Sequence, residues 1–174
     1  GVTEATTDIF IESAWFNATR IRRTARRHGL STDASFRYER GTDPNILSYA
    51  ARLAAVMIRE LGGGTICGPL RDNHPEGFAP IVVDLSLDYC ARLIGKRLER
   101  GLIECILQSL EIEITGVEHK GTDTVLQLLV PRYRVDVTRP CDVVEEILRI
   151  YGYNNVEISS EMHANLSIKT ITDE

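Results

Sequence analysis

Apolar and polar positions alternate in two different rhythms along the chain. In the first eighty residues, helical spacing dominates. Asn17 is placed to cap a helix on which Ile21, Thr24, Ala25 and His28 recur every three or four residues, and Gly29 supplies a left-handed stop. A second and longer run, Ile46, Leu47, Ala50, Leu53, Ala54, Met57, Ile58 and Leu61, predicts a core helix opened by Asp43-Pro44 and ended by Gly62, Gly63 and Gly64. Period-two segments flank these helices. Asp8 to Ile11 has strand character, Phe36 to Arg40 alternates like a short strand ending at Gly41, and Thr65 to Leu70 reads as another.

Residues 73 to 80, Asn-His-Pro-Glu-Gly-Phe-Ala-Pro, have two prolines, a glycine and no periodicity, which marks a linker. Beyond it the rhythm becomes a compact alternation. Ile81 to Leu87 predicts a strand, Ser86 caps a helix to Ile94 that Gly95 closes, and Leu98 to Leu110 predicts an amphipathic helix. Ile112 to Glu118 and Thr124 to Val130 pair as a hairpin whose turn holds Gly121, and Pro140 opens a helix that runs to Tyr151 and stops at Gly152. Val156 to Ile158 suggests a last short strand. The fold class is therefore α+β, with a winged-helix-like order of helix, helix, hairpin and helix in the second part. The expected division is residues 1–75, residues 76–155, and a connection over 156–174.

Composition changes little in this picture, and charge changes more. At 43% hydrophobic and 26% charged, the 174 residues have the balance of an ordinary globular chain, enough for one domain or two small ones. No apolar run approaches 18 residues and no basic-then-apolar start appears, so neither a membrane span nor a secretory signal is expected. Cys67, Cys90, Cys105 and Cys141 stand singly, as reduced cysteines of a cytoplasmic chain do, and no zinc site is expected. Charge, however, is divided. Residues 1–79 hold ten arginines, no lysine and nine acids, whereas residues 80–174 hold ten basic and sixteen acidic side chains. The first half is +1 and the second −6.

Within the first half, Arg20, Arg22, Arg23, Arg26, Arg27, Arg37 and Arg40 face only Asp33 and Glu39 in the same stretch. Arginine forks suit phosphate, so this stretch is a candidate nucleic-acid contact; the alternative is a solvated face paired with nearby carboxylates. Glu12, followed by Trp15 and Phe16, is either a pocket carboxylate or a hydrogen-bonded strand end. In the second half the helix over residues 98 to 110 carries Arg100 against Glu99, Glu104 and Glu111, which argues against DNA reading. Glu145 and Glu146 are adjacent on a helix and cannot chelate a metal together; Arg132, Arg134, Arg139 and Arg149 are their expected partners, with Asp136 and Asp142 nearby.

The run from Glu12 through TARRHGLSTDASFRYERGTDP to Pro44, followed by PRYRVDVTRPCDVVEEILRIYGYNN at residues 131 to 155, resembles the beta subunit of bacterial phenylalanyl-tRNA synthetase. The first motif is similar to the second half of that family's editing domain and the second to its B-five domain. The resemblance implies that Glu12 recognises the hydroxyl of a mischarged tyrosine and that Thr32 and Ala34 line the same pocket, with phenylalanine tRNA and a synthetase alpha subunit, in a heterotetramer of two alpha and two beta subunits, as partners. It implies ATP and magnesium for the parent enzyme but no cofactor here. The family's upstream histidine and glycine-rich segment are not in this sequence, so the chain alone is expected to be inactive, a piece of something longer.

Overall fold

The computed structural model describes residues 2–157. The expected strand at Val156 to Ile158 reaches outside the described residues, as does the connection assigned to 156–174. The elements in chain order are α1 (Ala18–His28), α2 (Asp33–Tyr38), α3 (Leu47–Gly62), β1 (Ile81–Ser86), α4 (Leu87–Ile94), α5 (Arg100–Ser109), β2 (Glu113–Lys120), β3 (Asp123–Val130) and α6 (Pro140–Tyr151), with a short 3-10 turn at Tyr153–Asn155. The α+β class stands.

Local chemistry explains the ends of these elements. Asn17 accepts the Arg20 backbone N–H at 3.1 Å, and Gly29 closes α1 in the left-handed region at φ 63. Arg26, Arg27 and His28 stand beside the free carbonyls of that last turn, where positive charge is favoured. Ser86 caps α4 through the Tyr89 N–H at 2.9 Å, and Gly95 ends it at φ 82. Glu111, at φ 59, carries the left-handed turn after α5 in place of a glycine, so that the Ile112 N–H reaches back to the Leu107 carbonyl at 2.9 Å.

Five expectations need correction. Phe36 to Arg40 is not a strand: Thr32 and Ser35 form a reciprocal capping box that nucleates helix Asp33–Tyr38, and it outweighs an alternation too short to be decisive. Asp8–Ile11 and Thr65–Leu70 are not strands, since neither finds a ladder partner among the described residues. The long helix starts at Leu47 rather than Pro44. Asp43 accepts the Asn45 N–H at 2.9 Å, and Asn45 is held by Phe78, accepting its N–H at 2.7 Å and donating to its carbonyl at 3.0 Å, so tertiary bonds keep this turn out of the helix. Nor is α3 a core helix: none of its residues is buried, and Leu61 is 85% exposed.

The described core lies entirely in residues 83 to 147. An antiparallel sheet in the order β1-β3-β2 pairs Val83 with Leu128 and Leu85 with Leu126, and these side chains meet Ile103, Leu107, Val143 and Ile147 from α5 and α6. Strand β3 is central because both other strands pair with it, which is why Leu126, Leu128 and Val130 are fully buried. A bulge between Ile114 and Gly116 shifts the register of β2. Outside the core, Gly41 at φ 93 lets the chain pass Val135, where an added methyl would stand 3.1 Å from the Val135 Cβ.

Candidate functional site

The first cluster is built around α1 and α2. Tyr38, the last residue of α2, donates its hydroxyl to the Ala14 carbonyl at 3.1 Å, and its ring meets Phe16 edge to face at 5.1 Å. Trp15 lies 5.4 Å from Phe78 in turn. These contacts clamp the segment just after Glu12 against the C-terminal end of α2. Glu12 itself is exposed and sits in the irregular stretch before the clamp.

Thr32 and Ala34 occupy the opposite end of α2. The Thr32 side chain is the helix cap, accepting the Ser35 N–H at 3.1 Å and donating to the Ser35 Oγ at 3.3 Å, so its hydroxyl has a structural duty. Ala34 is exposed in the first turn and presents only a methyl group. Both are thus open to solvent on one short helix, and the clamp ties the Glu12 segment to that helix. Among the described residues no direct hydrogen bond links the Glu12 side chain to either.

The arginines separate into groups. Arg22 donates to the Glu39 carbonyl at 3.2 Å, while Arg40 donates to the Phe36 carbonyl at 2.8 Å and to Glu39 Oε1 at 3.1 Å and covers the Phe36 ring at 3.4 Å. Among the described residues Arg40 is the only one of the seven in an ion pair. Arg22, Arg26 and Arg40, with Ala25, Leu30 and Glu39, line an open cleft of about 540 Å³. Sequence spacing places Tyr38 and Glu39, which position this cluster, only on a strand; the Thr-x-x-Ser capping pattern is the signal that could put them on a helix.

The second part of the chain uses its charges structurally. Asp123, at the hairpin, accepts the Ser86 hydroxyl at 2.6 Å and the Asp88 N–H at 3.1 Å, and Asp88 pairs with Arg97. The Ser86 bond is the main cause that holds the Asp123 carboxyl below its ordinary value. Ser86 is legible as a cap, but a partner 37 residues away is not. Glu146 is nearly buried and accepts Arg134 at 3.0 Å and Arg149 at 2.5 Å, while Arg134 also donates to the Leu110 carbonyl at 2.8 Å. Arg139 pairs with Asp142 at 2.8 Å and, first among several causes, holds that carboxyl well below the usual carboxylate range. Arg132 departs from expectation: it donates to the Ala79 carbonyl at 2.6 Å rather than to a carboxylate. Among the described residues no three His, Cys, Asp or Glu side chains converge as metal ligands, and no helix is long and apolar enough to cross a membrane.

These lowered carboxyls define an acid limit. Asp123 and Asp142 both titrate below their ordinary value of 3.8 in the folded chain, so the unfolded state binds more protons as pH falls. Their stabilisation is complete above that value and is lost as pH drops through their folded range. Urea unfolding at a series of pH values should show stability falling below about pH 4, and Asp123→Asn should flatten that fall while lowering stability at neutral pH.

Comparison with known proteins places this architecture among the aminoacyl-tRNA synthetases: residues 1–63 match the B3/4 domain family and residues 83–153 the tRNA synthetase B5 domain. A phenylalanine–tRNA ligase beta subunit of Bacteroides fragilis is 52% identical over 169 residues, covering 97% of this chain and 20% of that protein. The beta subunits of Porphyromonas gingivalis (50% identical, 99% of this chain and 20% of that protein) and Carboxydothermus hydrogenoformans (42%, 88% and 19%) agree. The chain belongs to the phenylalanine–tRNA ligase beta-subunit family and spans about a fifth of the length of these relatives.

Proposed function

We propose that this chain contributes part of the pocket with which a cytoplasmic phenylalanine–tRNA ligase hydrolyses tyrosine wrongly esterified to phenylalanine tRNA. Glu12 accepts the tyrosine hydroxyl, while Thr32 and Ala34 line the pocket beside it. Phenylalanine lacks that hydroxyl, so it would leave the carboxylate unpaired and be rejected, whereas an apolar synthetic site discriminates only weakly against an added hydroxyl. The observation that carries this reading is the clamp from Tyr38 to Ala14, because it ties the Glu12 segment to the helix that bears Thr32 and Ala34.

In the same reading Arg20, Arg22, Arg23, Arg26, Arg27, Arg37 and Arg40 turn the α1 and α2 face toward the tRNA. The chain is one part of a beta subunit that works with an alpha subunit, and ATP and magnesium act at the ligase's synthetic site rather than on residues of this chain. The chain alone neither aminoacylates nor edits. Residues 76–155 form a winged-helix-like packing module whose acidic balance suits scaffolding better than DNA binding.

The test is tyrosine release from mischarged phenylalanine tRNA by the full-length beta subunit carrying this sequence, assembled with its alpha subunit. Glu12→Ala should slow release by about tenfold to a hundredfold, the worth of one hydrogen bond to a charged group, and leave phenylalanine charging intact. Unchanged release would return Glu12 to a structural role. A second reading, a module in residues 76–155 that binds tRNA or DNA, would be favoured by salt-dependent nucleic-acid binding that survives removal of residues 1–78.

A further inference from the structure

We infer, resting on the RNA-facing reading of α1 given above, that the cleft lined by Arg22, Arg26 and Arg40 grips one phosphodiester group of a single-stranded RNA, and that the other arginines of this stretch supply only a diffuse field. Arg22 and Arg26 lie one helical turn apart on the same face of α1, and Arg40 lines the same cleft from the segment after α2. Three guanidinium groups face a single carboxylate, Glu39, so the cleft keeps a net positive charge.

Two of the three are already aimed. Arg22 is anchored by the Glu39 carbonyl, and Arg40 by the Phe36 carbonyl and the Phe36 ring. A carbonyl orients a guanidinium without cancelling its charge, and each fork retains further N–H donors. Less side-chain freedom is therefore left to lose when an anion arrives. Glu39 engages Arg40 through its Oε1. Arg26 consequently remains without an ion pair among the described residues and is the free arm of the site.

The floor narrows the ligand. Ala25 and Leu30 add apolar surface to the lining beside the arginines, and Leu30 is 60% exposed. A bare inorganic phosphate has no use for that surface, whereas a nucleotide can rest its sugar or base on it while its phosphate meets the arginines. Arg23 and Arg27 lie on a different face of α1 and are not among the residues that line the cleft.

The experiment is fluorescence anisotropy of a labelled single-stranded RNA oligonucleotide with this chain across a salt series. Arg26→Gln should weaken binding about tenfold and reduce the steepness of the log affinity against log salt plot by about 0.7, one phosphate contact on a single strand. Arg26→Lys should recover part of the affinity and the whole slope, since it keeps the charge and loses the fork. Arg27→Gln, in the same last turn of α1, controls for helix-end stability and should cost about twofold or less, and Arg59→Gln on α3 should cost nothing.

Equal losses for Arg26→Gln, Arg27→Gln and Arg59→Gln would overturn the cleft in favour of a general positive field, as would an unchanged Arg26→Gln. Inorganic phosphate that binds as tightly as the oligonucleotide would overturn the preference for a strand. Circular dichroism melts of each variant separate lost binding from lost folding. An overturned cleft leaves the Glu12 reading untouched, because that one is measured as ester hydrolysis.

Discussion

Leu107→Ala should lower the free energy of unfolding by about 3 kcal/mol, the middle of the range for removing a buried leucine side chain and leaving a partly collapsed cavity. Leu107 is fully buried on α5, in one cluster with Leu85 and Leu126 of the sheet and Ile147 of α6, so the loss is felt by three elements at once. Leu61→Ala on α3 should change stability by less than about 0.5 kcal/mol, because that side chain is 85% exposed and buries little to lose. Both leucines sit at helical spacing in amphipathic runs. Urea unfolding of the two variants in this chain decides the matter, and a loss at Leu61 comparable with that at Leu107 would show that α3 is packed in solution.

Glu146→Ala should cost about 3 kcal/mol as well, by a different route. The carboxylate is 12% exposed and holds Arg134, which is 18% exposed and also caps the end of α5 through the Leu110 carbonyl. Removing the acid strands a charge that has little water to replace its partner. Arg149, at 57% exposure, can be hydrated and adds little to the loss. Glu146→Gln keeps one acceptor and should cost roughly half as much. Glu145→Ala, on the exposed side of the same helix, should fall within about 0.5 kcal/mol. The Glu146 effect should persist at high salt, since a shielded pair is screened less than a surface one. A loss below about 1 kcal/mol, or one that vanishes with added salt, would make this pair an ordinary surface contact.

Much of the second half is legible in the residues themselves, and for reasons of local chemistry. Ser86, Gly95, Gly121, Pro140 and Gly152 each carry a turn or cap whose geometry depends on that residue and its immediate neighbours, and the elements between them fall within two residues of expectation. The alternation of β3 is equally plain. Here local preference and long-range packing agree, so reading neighbours is enough.

The first half is less legible because its local signals conflict or lack partners. Phe36 to Arg40 alternates like a strand, but Thr32 and Ser35 set a helix first, and a capping box within one turn outweighs a pattern that needs a neighbouring strand to have meaning. The proposed Glu12, Thr32 and Ala34 set is implied only by resemblance. Nothing in spacing indicates that Tyr38 reaches Ala14, a contact across 24 residues.

What the sequence by itself determined is the set of helix ends and turns in the second half, the ends of α1, the division of charge between the halves, the α+β class and the family. Each depends on residues a few positions apart or on the summed composition. Only the tertiary structure decided which apolar face is buried, that Glu146 rather than Glu145 takes the arginines, and that Arg22 and Arg40 are aimed while Arg26 has no ion pair among the described residues. The physical reason is that burial and orientation belong to pairs of surfaces. A helical stripe states that a face prefers to be covered, and the rest of the fold determines whether anything covers it.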